Sequence, residues 1–180
     1  MTLKRLERIT DQIEGPIKMG NQRINKYEYP PFKEWKWKSY DRKKVINLEE
    51  WVEEMKNRLF FIGTDSQTYG KKCVFTTCLI AYEMGRGGTV ILHSDKTEKF
   101  DSLRQRLLME AFRSLDTAWF VDGRIPKETK VAIHLDVNEN LRYKSARYKE
   151  ELVGMIIGQG FEASWKPNAW GAQSVADRVC

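Results

Sequence analysis

Histidine is nearly missing from this chain, with His93 and His134 the two in 180 residues. Both fall inside apolar, β-branched runs, so they read as strand residues and no histidine-based general acid or base stands out. Cysteine is almost as scarce. Cys73, Cys78 and Cys180 are odd in number and widely spaced, which supports neither a disulfide framework nor a zinc knuckle and makes a reducing cytoplasm the expected setting. No apolar run approaches the roughly 18 residues needed to cross a bilayer. The opening Met-Thr-Leu-Lys-Arg-Leu-Glu-Arg-Ile alternates charge with apolar residues and does not build the apolar centre of a secretory signal. The expectation is a soluble, cytoplasmic protein with no membrane partner. Internal repeats and low-complexity tracts are also lacking, and the length suits one domain with an extension.

What the chain does have is a concentrated excess of positive charge. The formal net charge is +6. Between Gly15 and Leu48, nine basic residues (Lys18, Arg23, Lys26, Lys33, Lys36, Lys38, Arg42, Lys43 and Lys44) face three acidic ones (Glu28, Glu34 and Asp41), so this segment alone accounts for an excess equal to the net charge. Such a distribution favours a polyanionic partner. Tyr27, Tyr29, Phe32, Trp35, Trp37 and Tyr40 are interleaved with those lysines. Two readings stand side by side: Trp35, Trp37 and Tyr40 stack on unpaired bases while Lys36, Lys38, Arg42, Lys43 and Lys44 neutralise phosphates, or the aromatics cover the sheet and helices. Arg142, Lys144, Arg147 and Lys149 either extend the basic surface or form a solvated helix face.

Periodicity divides the rest into elements. Leu3, Leu6, Ile9 and Ile13 recur at helical spacing over residues 3 to 14, and residues 15 to 44 have no clean period and read as an irregular arm. Asn47 is placed to cap a helix over Leu48 to Arg58. Three β-rich runs follow, Phe60 to Thr64, Cys73 to Tyr82 and Thr89 to His93, separated by short glycine turns, which predicts an antiparallel meander. Ser102 to Ala118 carries Leu103, Leu107, Ala111, Leu115 and Ala118 on one helical stripe. Lys130 to Leu135 predicts a fourth strand, Arg142 to Gly158 a helix, Phe161 to Trp165 a fifth strand and Asn168 to Val179 a last helix. The order is βββαβαβα, an α/β fold with a mixed five-stranded sheet and helices on both faces. Residues 1 to 58 form an N-terminal extension and 59 to 180 the domain.

The stretch Phe60 to Gln67 reads Phe-Phe-Ile-Gly-Thr-Asp-Ser-Gln, an apolar run that ends at a carboxylate. If the first and fourth strands are parallel neighbours, their C-terminal ends share one edge and Asp65 lies beside Asp136. Adjacent aspartates repel, and a cation between them relieves the repulsion; oxygen ligands suit magnesium or manganese. Taken alone, either aspartate is more often a turn or cap residue than a ligand; two on adjacent strands at one edge bring the two roles level. Glu110 borders the buried stripe of its helix, where spacing alone favours a solvated glutamate, and Asp177 sits on a helix built mostly of alanine, one turn after Gln173, where an ordinary exposed aspartate is as good a reading. Ser66 and Gln67 are placed to support Asp65. Lys166 can meet a phosphate or serve as a surface charge.

At this point the residues carry a resemblance. Ile-Gly-Thr-Asp-Ser-Gln at 62 to 67, His-Leu-Asp-Val-Asn at 134 to 138 and Lys-Pro-Asn-Ala-Trp-Gly-Ala-Gln-Ser-Val-Ala-Asp-Arg at 166 to 178 resemble the YkuK-type proteins of the ribonuclease H-like superfamily, over residues 60 to 180. The resemblance implies hydrolysis of a phosphodiester with two Mg2+ or Mn2+ ions. It also implies roles: Asp65 bridging both ions, Asp136 and Glu110 on one and Asp177 on the other. The superfamily includes members that bind nucleic acid without cutting, and a protein-binding scaffold is a third possibility, so fold alone does not decide activity.

Overall fold

The structure is a computed structural model, and residues 30 to 169 are described. The helix expected over residues 3 to 14, most of the one expected over Asn168 to Val179, and Asp177 itself lie outside the described residues. The described chain forms β1 (Trp37–Ser39), β2 (Val45–Ile46), α1 (Leu48–Met55), β3 (Leu59–Tyr69), β4 (Lys72–Glu83), β5 (Gly87–Glu98), α2 (Leu103–Asp122), β6 (Val131–Asn138), α3 (Lys149–Gly158) and β7 (Glu162–Lys166). Single 3-10 turns occupy Phe32–Glu34 and Ala146–Tyr148.

One mixed sheet carries all seven strands in the order β2-β1-β5-β4-β3-β6-β7. The sheet therefore exceeds the five strands expected, because the basic arm is not irregular throughout. It folds back through a turn in which Arg42 takes a φ of 61°, closed by Ser39 donating to Asp41 and by the Lys44 amide donating to Ser39. Its two short strands then add to the edge at β5. The third expected strand is longer than Thr89 to His93, because β4 pairs with β5 along its full length from Lys72 with Glu98 to Glu83 with Gly87. The helix expected from Arg142 begins only at Lys149, since Asn138 and Asn140 side chains accept amides two residues on and hold a turn there.

Strand β3 is antiparallel to β4 and parallel to β6, as the adjacency argument requires. Alternation sorts its residues. Phe60 and Ile62 join Leu79, Ala81, Ile91, Val131 and Ile133 in the main core, and α1, α2 and α3 all pack into that same cluster, so the described helices cover one face of the sheet and not both as expected. The stripe on α2 behaves as its spacing predicts, with Leu107, Ala111, Leu115 and Ala118 buried. On the other face Phe61, Cys78, Ile80, Tyr82, Val90 and Leu92 form a second, smaller cluster. Asn47 caps α1 through the Glu49 and Glu50 amides, and Trp51, Val52 and Met55 deliver that helix into the core.

Candidate functional site

Asp65 does not end its strand, as the apolar run before it suggests. Strand β3 runs on to Tyr69 because the polar residues after Asp65 stay paired with β4. What ends near Asp65 is the ladder on the other side: the last β3–β6 pair is Gly63 with His134. Two residues further along each strand come Asp65 and Asp136, so the two carboxylates flank the point where the parallel ladder opens. Asp65 is 7 % exposed. Asp136 lies in an irregular stretch of β6, where the pairing with β7 jumps from Leu135–Trp165 to Asn138–Lys166. Asp136 and Val137 fall within that jump, and a bulge of this kind re-aims the side chains it carries.

Helix α2 carries Glu110 against β3, at Ser66. Thr64 and Ser66 point toward that helix: the Thr64 hydroxyl lies 2.9 Å from Ser114 Oγ and 3.0 Å from Thr77 Oγ1, and Ser66 Oγ donates to Glu110 Oε1 at 2.6 Å. Ser114 in turn donates to the Glu110 carbonyl at 3.1 Å. Ser66 therefore supports Glu110 and not Asp65, its neighbour in sequence. One turn before Glu110, Arg106 donates to the Ser66 carbonyl at 2.8 Å and lies 3.2 Å from its hydroxyl. One turn after it, fully buried Arg113 forks onto Asp95 of β5 at 2.7 and 3.0 Å and lies over the Phe75 ring. These interactions lock the register of α2 against β3, β4 and β5, and with it the position of Glu110.

The electrostatics of this cluster are unusual. Burial pushes the Glu110 carboxyl up to about 8; the charges of Asp65 and Asp136 push the same way, against the Ser66 hydrogen bond and the Arg106 charge. Glu110 therefore feels both aspartates even though alternation turns Asp65 toward the opposite face from Ser66. Among the described residues, no three histidine, cysteine or carboxylate side chains are gathered closely enough to hold a metal ion. The donor set still fits a hard divalent cation: every candidate is a carboxylate, and the negative charge that Asp65 and Asp136 bring to bear on Glu110 is a charge that a cation would relieve. Asp136 meets a positive partner within the chain, Lys166 Nζ at 2.7 Å from Oδ1.

Other chemistries find little support in these side chains. Burial lowers His134 to about 4 and also lowers His93, so both imidazoles are neutral near pH 7. Burial raises the thiols of Cys73 and Cys78, which disfavours thiolate chemistry at either position.

The arm divides cleanly by alternation. Trp35 and Trp37 are 7 % and 2 % exposed and sit in the main core, with Trp35 stacked on His93 at 4.3 Å, so neither indole presents a face to a base. Of the two readings the aromatics had, covering the sheet is the one these two take. Lys36, Lys38, Arg42, Lys43 and Lys44 are exposed. Lys38 pairs with Leu92, which is paired with Cys78, which is paired with Gly63. Lys38 therefore lies on the same face of the sheet as Asp65, which stands two residues beyond Gly63 on β3.

Sequence reasoning missed Arg106 and Arg113. The available signal was their spacing of four residues before and three after Glu110, which puts all three on adjoining faces of one helix. A cleft of about 380 Å³ lined by Ser66, Gln67, Thr68, Phe100, Asp101, Ser102, Leu103 and Arg106 adjoins the cluster.

Comparison with known proteins agrees with the fold. The "Uncharacterized protein YkuK" of Bacillus subtilis (strain 168) is 30 % identical over 132 residues, covering 65 % of this chain and 76 % of that protein. A family model described as "Ribonuclease H-like" matches residues 44 to 180, a span that takes in α1 and β2 as well as the strands and helices around the carboxylates. The chain belongs to the ribonuclease H-like family, in its YkuK-type branch.

Proposed function

We propose that this protein is a nuclease that hydrolyses phosphodiester bonds with the help of Mg2+ or Mn2+ ions held by carboxylates, in a cytoplasmic setting. The observation that supports this most is the placing of the two aspartates: Asp65 and Asp136 flank the opening of the β3–β6 ladder, and the charge of each presses on the buried Glu110. Asp65, Glu110 and Asp136 would hold the ions together with Asp177, which lies outside the described residues. Held there, such ions would supply activation of a water and stabilisation of the leaving oxygen of a phosphodiester.

The chain's own groups would do the rest. Ser66 and Arg106 hold Glu110 in place, and the adjoining cleft offers Arg106 to a backbone phosphate. Lys38, on the Asp65 face of the sheet, with Lys36 before it and Arg42, Lys43 and Lys44 at the turn beyond, would take the phosphates further along the strand.

The test is a cleavage assay with single-stranded, duplex, hybrid and branched substrates, with Mg2+, Mn2+ or a chelator. Metal-dependent cleavage is expected, and Asp65→Asn and Asp136→Asn should each reduce it by at least about a hundredfold while leaving the thermal melt in place. Undiminished cleavage by both variants overturns the assignment. A second reading, a nucleic-acid-binding module without hydrolysis, is favoured by one observation: Glu110 and Asp136 already have partners in Ser66 and Lys166. Salt-sensitive binding with no cleavage of any substrate would select it.

A further inference from the structure

Lys166 is ion-paired with Asp136 at a position fixed by the backbone. It is the last residue of β7, its backbone is paired with Asn138 beyond the irregular stretch of β6, and the following turn is fixed by the Asn168 and Ala169 amides donating to the Trp165 carbonyl at 2.7 and 3.0 Å. This framework places the ammonium 2.7 Å from Asp136 Oδ1, with the two side chains 41 % and 27 % exposed. The position of a positive charge next to a proposed metal ligand is thus built by the register of two strands.

We propose that Lys166 acts as a built-in competitor for the cation position at Asp136, so that the site fills in order. This rests on the nuclease reading above. With Lys166 on Asp136, a divalent ion reaches the remaining carboxylates first. A cation can use Asp136 fully only when the ammonium swings away, and a backbone phosphate nearby is the group of opposite charge that would receive it. Lys166 is on this account a positioning residue that couples the second cation site to the presence of a polyanion. It differs from a lysine that merely binds phosphate, because removing it should strengthen metal binding.

Mn2+ binding followed by electron paramagnetic resonance or equilibrium dialysis on the full chain at neutral pH, without nucleic acid, tests this. The wild type is expected to bind one Mn2+ at least about tenfold more tightly than the next, a factor worth about 1.4 kcal/mol. Lys166→Met should tighten the weaker site about tenfold, and Lys166→Arg should restore the wild-type pattern. Lys166→Gln, polar and nearly as long, gives the same reading if the Met variant does not fold, with circular dichroism reporting the fold. Identical Mn2+ isotherms for wild type and the neutral variants overturn the role of Lys166 and leave the nuclease assignment standing. Absence of Mn2+ binding in every protein overturns both.

Discussion

Glu110 gives the sharpest quantitative test of the carboxylate cluster, and it needs no substrate. In the metal-free protein its carboxyl is held at about 8 against an ordinary value of 4.5, so over that interval the folded protein keeps a proton that the unfolded chain has lost. Its contribution favours folding fully below pH 4.5 and is lost as the pH rises to about 8. At about 1.4 kcal/mol per pH unit, the two values bound the total at about 5 kcal/mol. Glu110→Gln keeps the shape and the acceptor for Ser66 but cannot ionise. Urea unfolding with a chelator present should find the variant close to wild type near pH 5 and more stable near pH 9, by about 2 kcal/mol or more once partial relaxation of the site is allowed for. His93 and His134, lowered by burial, tilt both proteins in the opposite sense below pH 6.5 and cancel in the difference. A difference that stays flat from pH 5 to 9 would show that Glu110 is neither desolvated nor pressed by Asp65 and Asp136, and the site geometry would have to be abandoned.

Two further outcomes follow from the arm. Replacing Lys36, Lys38 and Lys43 together by glutamine should weaken nucleic-acid binding and reduce the slope of log affinity against log salt by about 0.7 to 0.9 for each phosphate that is no longer neutralised; an unchanged slope in a fluorescence-anisotropy titration would place the polyanion elsewhere. Trp37→Ala, by contrast, should cost about 3 to 5 kcal/mol of stability in urea unfolding because it empties a core position that is 2 % exposed, and a variant with wild-type stability but weakened binding would return Trp37 to the base-stacking role.

The centre of the fold was legible because its residues obey simple periods. The β3 row Phe60, Ile62 against Phe61 alternates between two faces, and the α2 stripe from Leu103 to Ala118 repeats at helical spacing, so both could be read from the sequence. The arm was not legible in the same way. Its strands are three and two residues long, too short to show alternation, and they form because β5 offers an edge, which is information from elsewhere in the chain. The same limit hid the full length of β5: Ser94, Lys96 and Glu98 read as loop residues until β4 is seen to pair with all of them. Asp65 and Asp136 were found from the ends of apolar runs, but their true setting, an open ladder beside a bulge, depends on register that no local pattern records.

Burial explains why two neighbouring carboxylates answer the same electrostatic problem differently. Glu110 is 4 % exposed, and a carboxylate so placed loses most of its hydration, so taking a proton costs less than staying charged beside two aspartates. Asp136 keeps 27 % of its side-chain surface and remains hydrated, so an ammonium on a flexible stem is enough. The proton on one and the lysine on the other are two forms of the same demand for positive charge. Removing Lys166 and neutralising Glu110 should accordingly have opposite effects on cation binding: the first leaves a carboxylate without its competitor, and the second leaves one ligand fewer.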